Sequence, residues 1–488
     1  MRMYGCAFGT PIFLIYGKIG CEVMALTDFT IAAIATPMGE GGIGIVRLSG
    51  PQAVEIAAMM FSTQAGQSIK ELKSYEMRYG KVVYPESGKI VDEAIVLVML
   101  GPRSYTGEDV VEIQCHGGVV VVGEILSLAL ELGAKMAEPG EFTKRAFLNG
   151  RLDLSQAEAV IDIINAPTRL GLEVAVDQLE GSLSKRIKQI NEQLYDLVVR
   201  VEASIDFPED ELPEIEITEM REMISRCIAE LGILLATADE GRIIREGLKT
   251  VITGKPNVGK SSLLNTLLNE KRALVTDIPG TTRDTIEEVV NLGGVPLRLI
   301  DTAGIRDSDD YVEQLGVARS LDLLAEADLV LHVLDRSVAL TKEDFLVLER
   351  TADIKRLILI NKVDLEPVWE VHQLGDLAGS PVMEISLLSD SQEVIRDLSS
   401  VILKFVRGGE VKTAEHTRAL VTRTRHKNAL NEAKKSLNEA LNTLEKGLPL
   451  DLIAVDLYSS LEHLGEITGE TVRENVLDRI FEKFCIGK

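Results

Sequence analysis

The chain has 488 residues, 45% hydrophobic and 26% charged, a globular composition that excludes a mostly disordered protein and leaves room for several domains of roughly 100–200 residues each. Its 52 Lys and Arg against 76 Asp and Glu leave a net charge of −24, which argues against non-specific coating of nucleic acid by the whole surface. The five cysteines, Cys6, Cys21, Cys115, Cys227 and Cys485, are scattered without a CxxC pair, which disfavours a disulfide framework or a cysteine zinc site and fits a reducing compartment.

Residues 1–27 read as a disordered leader. The stretch MRMYGCAFGTPIFLIYGKIGCEV is broken by Gly, Pro and Lys and lacks the apolar core and small-residue cleavage site of a signal peptide, and Met24 is an alternative start. No apolar run reaches 18 residues, so no membrane-spanning helix is expected. Residues 28–145 alternate β-rich runs (IAAIAT, GIGIVRLSG, AIVLVML, DVVEIQCHGG) with helical ones such as VVGEILSLALELGA, the pattern of a mixed α+β domain. Residues 146–246 are expected to be helical. From Leu170 to Ile205, apolar residues including Leu172, Val176, Leu183, Ile187, Leu194 and Val201 recur at steps of three and four, which predicts one long amphipathic helix. Seven acids and two prolines between Asp206 and Glu219 predict its end in a solvated connector. Residues 247–407 repeat strand, loop and helix, which implies a mainly parallel sheet covered on both faces. Residues 408–488 return to helix, so the α/β unit reads as an insertion into a helical domain.

The inserted unit carries the strongest motif. Gly254-Lys-Pro-Asn-Val-Gly259-Lys260-Ser261 satisfies GxxxxGK[ST] between a strand-like LKTVIT and a helix-like SSLLNTLL. In such a loop, backbone N–H groups surround phosphate oxygens, Lys260 neutralises the β- and γ-phosphates, and the Ser261 hydroxyl is placed for Mg²⁺. Downstream, Asp301-Thr302-Ala303-Gly304 follows a strand, where the Asp can reach Mg²⁺ through water and the Gly N–H can sense the γ-phosphate. Asn361-Lys362-Val363-Asp364 follows another. A carboxylate at Asp364 accepts the paired ring and exocyclic N–H donors of guanine, a pair that adenine lacks, so GTP is expected rather than ATP. The position after Gly304, where a Ras-like GTPase carries a water-orienting Gln, is Ile305, which has no polar atom for that work.

Beyond these motifs, the strings DFTIAAIATPMGEGGIGIVRLSG, SYTGEDVVEIQCHGG, EPGEFTKRAFLNGRLDLSQAEAVIDIINA, TDIPGTTRD and the terminal FCIGK make the chain resemble the MnmE (TrmE) family of tRNA modification GTPases from Thr30 to Lys488. The resemblance implies an N-terminal domain (28–145) that dimerises and binds a tetrahydrofolate in its 5-formyl or methylene form. It implies a helical domain in two parts (146–246 and 408–488) and an inserted Ras-like P-loop GTPase domain (247–407). It further implies a cytoplasmic, K⁺-activated GTPase. With an FAD-dependent partner of the MnmG (GidA) type, this enzyme adds a carboxymethylaminomethyl or aminomethyl group at C5 of the wobble uridine of certain tRNAs. The implied nucleotide contacts are Asn257, Val258, Gly259, Lys260, Ser261 and Ser262, then Thr276, Asp277, Ile278, Pro279, Gly280, Thr281 and Thr282, then Asp301, Thr302, Ala303 and Gly304, and finally Asn361, Lys362, Asp364 and Ser386. Ser261 and Thr282 match the Mg²⁺ ligands; Asn257, Thr276, Ile278 and Thr281 match the K⁺ ligands; and Glu313, acting with Lys260, matches the residue that orients the attacking water. The folate positions fall on Arg47, Glu112, Arg151 and Lys488.

Cys485 in the FCIGK tail is the implied participant in one-carbon chemistry, against the ordinary alternative of a buried packing residue. It is not a prenylation box, because neither Gly487 nor Lys488 suits one. The chain departs from the family at Arg151, where Lys is common, and at Ser386-Leu-Leu, where Ser-Ala-Lys or Ser-Ala-Leu is usual. Two other readings of the GTP motifs are a ribosome-assembly GTPase acting as an RNA-binding switch and a scaffolding GTP-binding protein. The charge is uneven: seven bases against two acids lie between Lys404 and Lys427. The expectation is therefore that a partner supplies much of the grip on tRNA.

Overall fold

The computed structural model describes residues 28–63, 66–206, 216–269, 288–300, 324, 327–375, 377, 379–388, 391–406 and 419–488. The chain divides into two compact units, one comprising Met1–Ile161 with Leu461–Lys488 and the other Asp162–Ser460.

The first unit opens with β1 (Ile31–Ile34), β2 (Gly41–Ser49), α1 (Ala53–Met60), β3 (Phe61–Thr63), β4 (Glu76–Val83), β5 (Ile90–Met99), β6 (Val110–Gly117), α2 (Val119–Glu131), β7 (Lys135–Met136), α3 (Glu141–Leu148) and α4 (Leu154–Asn165). The sheet order is β3-β4-β5-β6-β2-β1-β7, antiparallel throughout except where β7 joins β1 in parallel. Period-two alternation buries Val96 and Val98 of β5 and Val111 and Ile113 of β6 on the face covered by Ile56 and Met60 of α1 and Ile125 and Ala129 of α2. A separate cluster of Ile31, Ala33, Ala137 and Phe142 joins β1 to α3. These elements form the mixed α+β domain expected from the alternating runs.

The second unit continues with α5 (Arg169–Leu179), α6 (Ser182–Asp206), α7 (Ile217–Leu235), α8 (Ala238–Glu246), β8 (Leu248–Thr253), α9 (Lys260–Asn269), β9 (Glu288–Leu292), β10 (Val295–Leu299), β11 (Leu329–Asp335), α10 (Lys342–Arg350), β12 (Arg356–Asn361), β13 (Val382–Glu384), α11 (Ser391–Val406), α12 (Thr424–Glu445) and α13 (Leu450–Thr468). The single long helix expected between Leu170 and Ile205 is instead two. Gly181, at φ 81°, ends the first, and the apolar stripe restarts in a new phase. Leu172 and Val176 therefore point outward, while Leu183, Ile187, Leu194 and Val201 of α6 are buried. α6 is described as far as Asp206, and the acidic segment at 207–215, where the sequence predicts the helix to stop, lies outside the described residues.

The sheet of this unit runs β13-β12-β11-β8-β10-β9, with every pair parallel except the β9–β10 hairpin. Leu331 and Val333 of β11 and Leu357 and Leu359 of β12 meet Leu263, Leu267 and Leu398 in one cluster. Leu334, Ile358 and Ile360 join Leu348, Trp369 and Leu374 in another. The two clusters cover both faces, which is why these strands read as nearly continuous apolar runs. The chain closes in the first unit with α14 (Glu474–Phe481); its Leu477 and Phe481, with Phe484 just beyond it, pack on Leu154, Ala157 and Ile161. Among the described residues, no helix is long and apolar enough to cross a membrane.

Candidate functional site

β8 lies between β11 and β10, and strand order reverses around it; open parallel sheets bind ligands at the carboxyl ends of their strands at such a point. The chain leaves β8 through Gly254–Gly259 and enters α9 at Lys260. Gly254 and Gly259 have φ of 144° and 109°, and a β-carbon would drive the first into the Val333 carbonyl and the second into the Asn361 side-chain amide. Only glycine lets the loop pass so close to β11 and β12. Asn257 also takes a positive φ, 63°, and its side chain is exposed. The Lys260 ammonium donates to the Gly254 and Lys255 carbonyls at 2.7 Å each, so it is folded over the loop whose phosphate it would neutralise. Val258 is buried, and Ser261 and Ser262 are exposed at the start of α9, where N–H groups and the helix dipole favour anions.

Of the residues expected to recognise the base, Asn361 meets this loop directly. Asn361 Nδ2 donates to the Val258 carbonyl at 2.8 Å, and the Leu387 amide donates to Asn361 Oδ1 at 3.4 Å. Lys362, at φ 63°, places Nζ 2.6 Å from Asp335 Oδ2. Burial pushes the Asp335 carboxyl up, but Lys362 together with the Ser337 hydroxyl and amide outweighs it and holds the group below its ordinary value. Asp364 is exposed, and Ser386 Oγ donates to its Oδ1 at 2.6 Å. Asp335 was not singled out from sequence; its signal was a strand, Leu329 to Leu334, apolar except for the buried His332 and ending in a carboxylate at the ligand-binding edge. Trp369 Nε1 fixes the same corner by donating to the Asp335 carbonyl at 2.9 Å.

Thr276, Asp277, Ile278, Pro279, Gly280, Thr281, Thr282, Asp301, Thr302, Ala303, Gly304 and Glu313 lie outside the described residues. Of the two Mg²⁺ positions only Ser261 is therefore described, and of the four K⁺ positions only Asn257.

The folate positions converge within the first unit. Arg47 on β2 faces Glu112 on β6 across the register, with Nε 2.9 Å and Nη2 2.8 Å from Glu112 Oε1. Its Nη1 donates to the Gly487 carbonyl at 3.0 Å, joining residues 440 positions apart. Gly487, at φ 92°, lies so close to β1 that a β-carbon would strike the Ile34 carbonyl. Tyr105 stands between two guanidinium groups, Arg47 at 5.6 Å and Arg151 at 5.1 Å from its ring centre, and its carbonyl accepts from Arg151 Nη1 at 3.0 Å. Burial pushes the Tyr105 phenol up, opposed by Thr143 and by both arginines. Burial pushes the Lys488 ammonium down and Arg47 adds to this, while Glu112 and Cys485 oppose it. Cys485 is exposed, which sets aside the buried packing role. Its carbonyl accepts the Gly140 and Lys488 amides at 3.4 and 3.3 Å. The cluster thus offers a carboxylate, cations and an aromatic face. Tyr105 was not anticipated, because no spacing rule links it to Arg47 or Arg151.

Two family models match the chain: the GTP-binding protein TrmE N-terminus over residues 30–151 and the MnmE helical domain over residues 154–485. The chain is 49% identical over 467 residues to the tRNA modification GTPase MnmE of Alkaliphilus oremlandii, covering 94% of this chain and 99% of that one. It is also 49% identical over 466 residues to the tRNA modification GTPase MnmE of Geobacillus thermodenitrificans, covering 95% and 100%. Among solved structures it is similar to the G domain of the T. maritima FeoB iron transporter, at 26% identity over 32% of this chain and 98% of that one, with a TM-score of 0.23.

Proposed function

Because the chain belongs to the MnmE family of tRNA modification GTPases, we propose that it couples GTP hydrolysis to modification of C5 of the wobble uridine in certain tRNAs. It is a GTP-hydrolysing enzyme that takes part in tRNA modification. In the proposed reaction a flavin-dependent partner of the MnmG type works with it, and a tetrahydrofolate supplies the one-carbon unit of an aminomethyl or carboxymethylaminomethyl group.

At the nucleotide site the residues divide the work. The loop amides and Lys260 would hold the phosphates, Ser261 with Thr282 would hold Mg²⁺, and Asp364, steadied by Ser386, would accept the guanine N–H pair. K⁺, when bound, adds positive charge beside the transferring phosphoryl group, the role an arginine finger has elsewhere. Asn257 suits such a cation: its exposed amide is presented by a left-handed backbone at the rim of the phosphate loop. Thr276, Ile278 and Thr281 are its proposed companions, and Glu313 orients the attacking water. At the chain end, the two Arg47 contacts with Glu112 both fall on Oε1, and Oε2 is the proposed acceptor of a pterin's N–H donors. Arg151 and Lys488 suit the carboxylates of a folate tail. Cys485 is placed by the same tail, and a part in handling the one-carbon unit is proposed for it. The enzyme is proposed to act in the cytoplasm as a homodimer joined through the N-terminal domain, with transient contact between its GTPase domains.

The observation that carries this reading is the Asn361 side chain, donating to the carbonyl of Val258 in the loop over which Lys260 is folded, in a chain that carries Ile305 where a Ras-like enzyme has its Gln. GTP turnover measured in KCl and in NaCl at matched ionic strength tests it. A several-fold or greater stimulation by K⁺ is expected, and equal rates would overturn the K⁺ assignment.

A further inference from the structure

The phosphate-loop motif leaves its second position open, and here that position is Lys255. Its ammonium lies 2.6 Å from Asp344 Oδ2 and 3.5 Å from the Ala339 carbonyl. The Asp344 side chain is only 1% exposed and that of Lys255 18%. The carboxylate is fixed in place: it is the third residue of α10, and Oδ2 also accepts the Thr341 amide at 2.8 Å and hydroxyl at 3.1 Å. Its Oδ1 is buried without a hydrogen-bond partner among the described residues, so Lys255 is the cation that offsets its charge. A desolvated carboxylate holds its cationic partner firmly, because separating them strands a charge in the interior. The consequence reaches the chemistry through the backbone, since the Lys255 carbonyl is one of the two oxygens that receive the Lys260 ammonium.

We propose that Lys255 and Asp344 are a positioning pair for GTP binding: the buried ion pair fixes the Lys255 carbonyl, and that carbonyl with Gly254's aims Lys260 at the phosphates. Both side chains are engaged with each other rather than among the expected nucleotide contacts, and the proposal rests on the GTP site described above. Lys260 contacts the phosphates in both the bound substrate and the transition state, so loosening its aim raises KM and leaves kcat nearly unchanged.

The test compares Lys255→Met, Lys255→Arg, Asp344→Asn and the double variant K255M/D344N in the full-length chain, following GTP hydrolysis and the thermal midpoint. Lys255→Met and Asp344→Asn are each expected to raise KM on the order of tenfold, with kcat within about twofold of the parent. Lys255→Arg is expected to restore KM to near the parent value, and the double variant to be no worse than the worse single one, because the two side chains act as a unit. An unchanged KM in Lys255→Met, an arginine variant as impaired as the methionine one, or independent multiplication in the double variant would each overturn the proposal. If Asp344→Asn does not fold, the methionine and arginine variants of the loop residue decide alone. The parent protein measured alongside separates the cases: a parent without GTP turnover contradicts the GTP site itself, whereas an active parent with indifferent variants contradicts only the pair.

Discussion

In the nucleotide site the groups proposed to face phosphate, from Gly254 to Ser262, follow one another along the chain, whereas at the chain end Arg47, Glu112 and Gly487 arrive from points up to 440 positions apart. The first site depends on main-chain conformation: two glycines at positive φ, a helix start and carbonyls that aim one lysine. The second depends on side chains set by the register of an antiparallel sheet, which places Arg47 opposite Glu112, and on a tail packed against β1. A backbone site tolerates little change at its glycines and loses its chemistry when the aimed side chain is removed. A side-chain site can lose one contact and keep its frame.

The largest effect expected from this contrast is at Lys260. Replacing it with alanine removes the cation expected at the β- and γ-phosphates and should lower kcat/KM for GTP by about 10²-fold, mainly through KM, the scale of one or two lost charge-assisted hydrogen bonds. Binding of a tetrahydrofolate should be unaffected, because Lys260 and the Arg47 cluster belong to different units. Steady-state hydrolysis and isothermal calorimetry with 5-formyltetrahydrofolate check the two halves; loss of both in a folded protein would break the comparison. The complementary change is smaller. Glu112→Ala removes the carboxylate that accepts from Arg47 and, in the proposed reading, from the pterin. Folate affinity should fall about tenfold, the scale of one charge-assisted hydrogen bond, with GTP turnover intact. Equal loss of both activities would contradict the assignment.

The same contrast explains what could be read from the sequence. Strand β8, helix α9 and the NKVD corner were legible because a contiguous motif carries its own spacing, and a buried parallel strand announces itself as an apolar run. The two-residue β7 was not, since its only support is parallel pairing with β1, about a hundred positions earlier in the chain. The merger of α5 and α6 into one expected helix has a local cause: Leu172 and Val176 fit the three-four spacing, but Gly181 resets the phase and leaves them exposed. Asp335, Tyr105 and Asp344 escaped because each acts on a residue brought to it by folding. Arg47, Glu112, Arg151 and Lys488 were named by resemblance, and no spacing of theirs in the sequence foretells that the tail returns to β2.

The smallest effect separates the cysteines. Alkylation requires a thiolate that the reagent can reach. Burial pushes the Cys115 and Cys227 thiols up to about 11, with Asp92 adding at the first and Glu230 at the second. At pH 8 roughly one part in a thousand of either is thiolate, and both are buried besides. Cys485, on the tail that carries Gly487 to Arg47, is exposed. Iodoacetamide at pH 8 followed by peptide mapping should therefore modify Cys485 in the native protein and reach Cys115 and Cys227 only in denaturant. Raising the pH toward 11 should increase the thiolate fraction of the buried pair without making them accessible, so their labelling should continue to track unfolding. Protection of Cys485 by 5-formyltetrahydrofolate, with GTP leaving its rate unchanged, would tie the exposed thiol to the side-chain site. Early labelling of Cys115 would instead mean that the sheet around Glu112 opens readily, and a site held by sheet register could not then be as firm as the phosphate loop.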